Sequence, residues 1–332
     1  MEFVPALRED EPAIVALFAR HRFALERLEW LDWKYHRNPY GGTLSYKILH
    51  EGKLDGAVAL LPRTYWSDGR RLNGIQAVDG LMGRSIRGKG LFNDVMDFLL
   101  RQQPVGNDAP HFFLSFPSLP ASVKAHEFAG WHRLAAFDLF TCLLRPRAVK
   151  RLRGVAWLAP LLAPAWRLGR AVLEARGGRA VTVEEVTHFD ETVDALYPRD
   201  RIHGDRSATF LNWRVFDNPQ ADLSAFALRE GGELAGHVVF KRLGRTLEIM
   251  DLRFRAPRAK YLVAILRHLG ECDLADSVDC AFLPGHPYRR LLPLAGFFPR
   301  GRRGVLFVER LREAGLPADP RAWEIHPLDS DW

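Results

Sequence analysis

Residues Leu31 to Pro39, Leu-Asp-Trp-Lys-Tyr-His-Arg-Asn-Pro, are echoed 180 residues later by Leu211 to Pro219, Leu-Asn-Trp-Arg-Val-Phe-Asp-Asn-Pro. The same offset lays Leu54-Asp55-Gly56 on Leu234-Ala235-Gly236. Matching tryptophans, matching Asn-Pro stops and following hairpins mark two copies of one fold in tandem, because a fixed period of this kind comes from a repeated structural unit. With 332 residues, 47% of them hydrophobic, the chain is long enough to bury a core in each copy.

Between the echoes lies the stretch most suggestive of ligand binding. Gly74 to Leu81 alternates as a strand does, while Leu91, Phe92, Val95, Met96, Phe98 and Leu99 recur at helical spacing. A glycine-bearing turn joins them. Gly88 and Gly90 let backbone approach a ligand, and Arg87, Lys89 and the free amides of the first helical turn favour an anion. Neither Gly-x-Gly-x-x-Gly nor Gly-Lys followed by Ser or Thr is present, so the dinucleotide and nucleoside-triphosphate loops are excluded.

Arg87-Gly88-Lys89-Gly90-Leu91 resembles the acyl-CoA signature of the GNAT superfamily, Arg/Gln-x-x-Gly-x-Gly/Ala, with Phe92 standing where the final small residue belongs. The resemblance implies an α/β protein of two tandem GNAT-like domains, each a mixed, mostly antiparallel sheet flanked by helices. It also implies acetyl-CoA or another acyl-CoA as cosubstrate, without a metal. Its pyrophosphate would lie on Arg87, Gly88, Lys89, Gly90, Leu91 and Phe92. Its pantetheine would run between the strand ending at Leu81 and Met82, whose backbone would contact it, and a strand at His111 to Phe116. Ser118, Ser122 and Gly130-Trp131 resemble a degenerate form of the family's next segment. They put His126 where the family often has a tyrosine that protonates the departing sulfur. Histidine suits that role, or that of a base on the incoming amine, and equally suits packing against Trp131. Asp79, late on the strand entering the turn, is the carboxylate candidate for accepting the amine's proton, unless it faces solvent.

The corresponding stretch of the second copy, Arg255 to Tyr261, is basic but carries Pro257 and no glycine. The expected division is therefore an acyl-CoA-binding domain at 1–146, a basic apolar connector at 147–179, a degenerate domain at 180–311 and a tail at 312–332. Within the connector, Trp157 and Trp166 sit in an apolar run flanked by arginines, which suits a helical link or, through 151–170, peripheral contact with an anionic membrane surface. In the tail, Glu324, Asp329 and Asp331 suit either an amine-binding junction or exposure to solvent.

The net charge of +7 is concentrated near the connector, and Arg300 to Gly304 is too short a basic run to define a nucleic-acid groove. Cys142, Cys272 and Cys280 form no Cys-x-x-Cys pair, which fits a reducing cytoplasm. His286 lies in a Gly-His-Pro turn with no ligand nearby in sequence. The reading that follows is an N-acyltransferase acting on a small-molecule amine, an amino sugar among the candidates. A transferase using aminoacyl-tRNA and a non-catalytic scaffold binding polysaccharide or protein are the alternatives.

Overall fold

The computed structural model describes residues 1–21, 27–87, 92–102, 109–117, 119–151, 180–196, 201–219, 222–310 and 316–330. The glycines of the turn at 88–91 and most of the connector, 152–179, lie outside them. The first half runs β1 (Glu2–Pro5), α1 (Glu11–Arg20), α2 (Leu28–Leu31), β2 (Leu44–His50), β3 (Lys53–Ser67), β4 (Arg70–Met82), α3 (Phe92–Arg101), β5 (Phe112–Ser115), α4 (Pro120–Phe128) and β6 (His132–Leu143). The second runs β7 (Val181–Val186), β8 (Ile202–Gly204), α5 (Ala208–Leu211), β9 (Leu223–Glu230), β10 (Glu233–Leu243), β11 (Thr246–Phe254), α6 (Ala259–Glu271), β12 (Ser277–Phe282) and β13 (Phe298–Arg310). A short β14 (Trp323–Glu324) follows.

Helix starts follow the sequence chemistry: Pro12 and Pro120 open α1 and α4, where a missing amide costs nothing. On α3, Val95, Met96 and Leu99 turn inward at helical spacing. Each copy of the tryptophan motif forms a helical turn, α2 or α5, that widens into a π-type turn at Asp32–His36 or Asn212–Phe216. The two turns meet at the centre of the molecule. Trp33 Nε1 donates to the Trp213 carbonyl at 2.8 Å, and Trp213 Nε1 donates to the Trp33 carbonyl at 3.2 Å. Their rings stack 4.7 Å apart.

The strands form one mixed sheet in the order β1-β2-β3-β4-β5-β13-β6-β12-β11-β10-β9-β7. Read from either edge the pairing is the same: three antiparallel steps, then one parallel step, β4 with β5 or β11 with β12. The last strands are exchanged. β13, late in the chain, pairs with β5, while β6, from the first half, pairs with β12. β6 and β13 then pair antiparallel with each other across the centre. The expected boundary after residue 146 thus follows a strand that lies, in space, beside the second half.

Residues 323–330 are packed rather than exposed. Trp323, Ile325, Leu328 and Asp329 are all 0% exposed, β14 pairs with β8, and β8 pairs with β3. Of the two options open for the tail, exposure is therefore corrected: an apolar-rich segment with Trp323 edge-on to Phe112 buries its side chains against the sheet. Among the described residues no helix is long and apolar enough to cross a membrane.

The repeated glycine has a steric reason. A Cβ on Gly56 would sit 2.8 Å from the Leu81 carbonyl oxygen, and one on Gly236 would sit 2.4 Å from that of Arg253. Both carbonyls belong to the neighbouring strand, so backbone would have to move. Gly56→Ala and Gly236→Ala are expected to lower stability by about 1–3 kcal/mol in urea unfolding. Gly42→Ala, with open space around its Cβ, should stay within about 0.5 kcal/mol of the parent.

Candidate functional site: the parting of two parallel strands

β4 and β5 pair from Gly74 opposite Phe112 to Gln76 opposite Leu114, and β5 then ends while β4 runs on to Met82. Past β5 no described strand pairs with this side of β4, which leaves a gap in the ladder beside its far end. A bulge occurs there: Asp79 and Gly80 together oppose one residue of β3, and Asp79 takes a left-handed φ of 53°. The Gly83 amide bonds the Asp55 carbonyl at 2.6 Å, so by strand alternation the backbone groups of Met82 point away from β3, into the gap. Those of Leu81, opposite Ala57, point toward β3. Of the two backbone contacts expected from the resemblance, Met82 is the one that faces the gap.

Arg87 is already engaged with that strand end. Its Nε and Nη2 donate to the Met82 carbonyl at 3.2 and 3.0 Å. Gly88, Lys89, Gly90 and Leu91 lie outside the described residues. Gly83 holds the turn tight, because a Cβ there would meet Asp55 Oδ1 at 1.9 Å. Phe92, at the start of α3, turns its ring toward the core and packs 4.8 Å from the His126 ring.

His126 is buried on α4 in an aromatic cage, stacked on Phe307 at 5.1 Å and edge-on to Trp131 at 5.1 Å. Nδ1 lies 2.7 Å from the Ser122 carbonyl oxygen, which can only accept. That bond assigns the proton to Nδ1 and leaves a lone pair on Nε2. Burial pushes the His126 pKa below its ordinary value, against the opposing effect of the Ser122 bond. The side chain is thus set up as a neutral acceptor. Ser118 lies outside the described residues.

Asp79 is buried too, but on the other face. Lys34 Nζ donates to both its oxygens at 3.0 and 2.8 Å, and the Tyr35 hydroxyl donates to Oδ2 at 2.8 Å. The Lys34 ammonium also lies 4.2 Å from the Trp30 ring centroid. Tyr35 packs with Ala57, Ala59 and Leu61, whereas the cage around His126 packs with Val58 and Leu60. Alternate residues of β3 face opposite ways, so the sheet separates Asp79 from His126.

The second half has the same parting but fills it. β11 and β12 pair from Thr246 opposite Ser277 to Ile249 opposite Cys280, and β11 continues to Phe254. Here the gap-facing amide of Phe254 accepts no visitor: it donates to the buried Tyr288 hydroxyl at 2.8 Å.

Beneath β14 and the residues after it lies a buried charged network that spacing did not reveal. Arg206 joins Asp251 at 2.7 Å to Asp329, which it grips with two nitrogens at 2.8 and 2.7 Å. His237 Nε2 lies 2.9 Å from the other Asp251 oxygen, Arg63 approaches Asp329 at 3.7 Å, and Arg253 pairs with Glu324. Burial works against the Asp251 charge, yet Arg206 and His326 hold its carboxyl well below the usual carboxylate range. The 180-residue echo aligns Lys34 with Arg214, both buried cations, but Lys34 pairs with Asp79 and Arg214 donates to the Leu328 and Ser330 carbonyls rather than joining this network.

No family model and no curated protein matches this chain. Solved structures do. A GCN5-related N-acetyltransferase from Anabaena variabilis superposes with a TM-score of 0.63 at 12% identity, over 93% of this chain and 72% of that one. A conserved protein from Enterococcus faecalis described as a probable N-acyltransferase gives 0.64 at 12% identity, over 94% and 73%. A tandem GNAT protein from the clavulanic acid biosynthesis pathway gives 0.53 at 15% identity, over 94% of this chain and 99% of its own. This chain therefore shares the fold of the GNAT acyltransferases.

Proposed function

We propose that the protein is an acyl-CoA-dependent N-acyltransferase built of two tandem GNAT-like units, 1–146 and 180–311, joined by the connector 147–179 and sealed by 312–332. The observation that carries this reading is the contrast between the two partings. The first leaves the Met82 backbone facing a gap at the strand end that precedes Gly88 and Gly90 in sequence, while the second is plugged by Tyr288. Acyl-CoA binds in the first, with acetyl-CoA the simplest donor and a small amine, such as an amino sugar, the acceptor.

In this reaction the amine nitrogen attacks the thioester carbonyl, a C–N bond forms and the C–S bond breaks. The amine's surplus proton goes to His126 Nε2, whose lone pair the Ser122 bond leaves exposed to protonation, and returns from there to the departing thiolate. Backbone dipoles beside the bulge stabilise the oxyanion. Lys34 and Tyr35 occupy both Asp79 oxygens, so Asp79 acts by holding the bulge in place rather than by taking the amine's proton.

Calorimetric titration with acetyl-CoA is expected to show saturable binding that Gly90→Trp abolishes; no binding by folded parent protein defeats the acetyl-CoA reading. His126→Phe, which suits the aromatic cage, should lower kcat about 10²–10⁴-fold. Because burial depresses the His126 pKa, Nε2 stays unprotonated at and above the ordinary histidine value near 6.5, so the acid limb of the kcat/KM profile should lie below about pH 6.5. The unfolded chain is then the better proton binder, and the His126 contribution to stability is full above about pH 6.5 and declines as pH falls below it. Asp79→Asn should cost about 3–5 kcal/mol of stability by stripping a buried ammonium of its carboxylate, and adding Lys34→Met should recover much of that loss.

A further inference from the structure

His286 follows β12, and Glu324 and His326 come from the packed segment near β14, yet the fold brings the three together. Each is at most 2% exposed. His286 Nε2 lies 3.3 Å from His326 Nε2, Glu324 Oε1 lies 4.0 Å from the first and 3.7 Å from the second. The equidistant point in the plane of these atoms is about 2.1 Å from each, and an ion drawn about 0.5 Å out of that plane by a fourth ligand is about 2.2 Å from each, within the range of Zn–N and Zn–O bonds. We propose that His286, His326 and Glu324 form a binding site for a divalent transition-metal ion of the zinc class. It is separate from the acyl-CoA gap and does not depend on the reaction proposed for it.

The surroundings fit the donor set. The His286 ring is fixed by stacking on Phe282 at 4.2 Å, and the His326 ring meets Phe282 edge-on at 5.8 Å. Two ring nitrogens 3.3 Å apart otherwise share one proton, whereas a cation uses both lone pairs. With Nε2 on the ion, His326 Nδ1 carries the proton toward Asp251 Oδ1, 3.9 Å away; that Nδ1 has no hydrogen-bond partner among the described residues. A carboxylate behind a ligating histidine is the usual orienting arrangement. Two imidazoles and a carboxylate select zinc-class ions over magnesium or calcium, which require oxygen ligands.

Arg253 sets the remaining chemistry. Its Nη1 rests on Glu324, and its buried Nε and Nη2 have no partner among the described residues. A dication beside a guanidinium calls for an added anion. Three protein ligands leave the fourth tetrahedral place open, and the unpartnered Arg253 nitrogens are donors for an anionic occupant such as hydroxide or a small carboxylate. Binding also requires the 3.3 Å bond from the Tyr288 amide to His286 Nδ1 to be given up, since Nδ1 then carries the ring proton.

The test uses the full chain, purified without a metal-affinity tag and refolded from denaturant with Zn²⁺, Co²⁺ or Mg²⁺. Expected are about one tightly held equivalent of Zn²⁺ or Co²⁺, tetrahedral Co²⁺ absorption bands, and a Tm that rises with Zn²⁺ but not Mg²⁺. His286→Ala and Glu324→Gln, checked for folding by circular dichroism, should lose the bound ion at least about tenfold, while His132→Gln on the surface should retain it. The Co²⁺ spectrum of the parent protein decides the matter even if the variants fail to fold. Absence of bands and of bound zinc in the parent, or equal binding by folded His286→Ala, overturns the proposal.

Discussion

The pairings at the centre of the sheet hang on the exchange of β6 and β13. Each half supplies five strands in the order that ends with a parallel pair, and each would then present an unpaired edge at β5 or β12. Such an edge exposes a row of backbone donors and acceptors. The exchange covers both edges at once and makes β6 and β13 neighbours. The stacked tryptophans, with their reciprocal bonds to each other's carbonyls, lock the same symmetry on one face of the sheet.

Symmetry in the scaffold makes the asymmetry of the two partings informative. The opening beside β4 and the opening beside β11 arise from the same pairing and carry bulges in equivalent strands. Their contents differ. On one side Arg87 fastens the turn to the strand end and leaves the Met82 amide facing the gap; on the other a tyrosine from the following turn satisfies the equivalent amide. Duplication preserved the framework, while side-chain chemistry filled one opening and not the strand end of the other.

Much of this was legible in the residues. The echo at Trp33 and Trp213 gave the duplicated framework, and alternation and helical spacing located β4, β5 and α3. What spacing did not carry was contact between distant segments. Nothing in the sequence around Asp79 announces Lys34, 45 residues earlier, as its partner. Nor does a Gly-His-Pro turn announce that His286 will lie against Glu324 and His326, or a run of tryptophan and carboxylates that it will be buried and ion-paired. Buried charges depend on which segments cover which face, and strand exchange and the final segment decide that here.

The exchange also bears on how the chain acquires its structure during synthesis. The first half is not a finished sheet when its own residues emerge, because the strand that completes it spans Phe298–Arg310. Until then β5 has an open edge, while β6 awaits β12 from a segment not yet made. A ribosome adding about 5–20 residues per second leaves that edge uncovered for roughly ten seconds or more. During that interval the edge stays open to unintended strand pairing, and truncations that lose β13 damage the half of the molecule farthest from the cut in sequence.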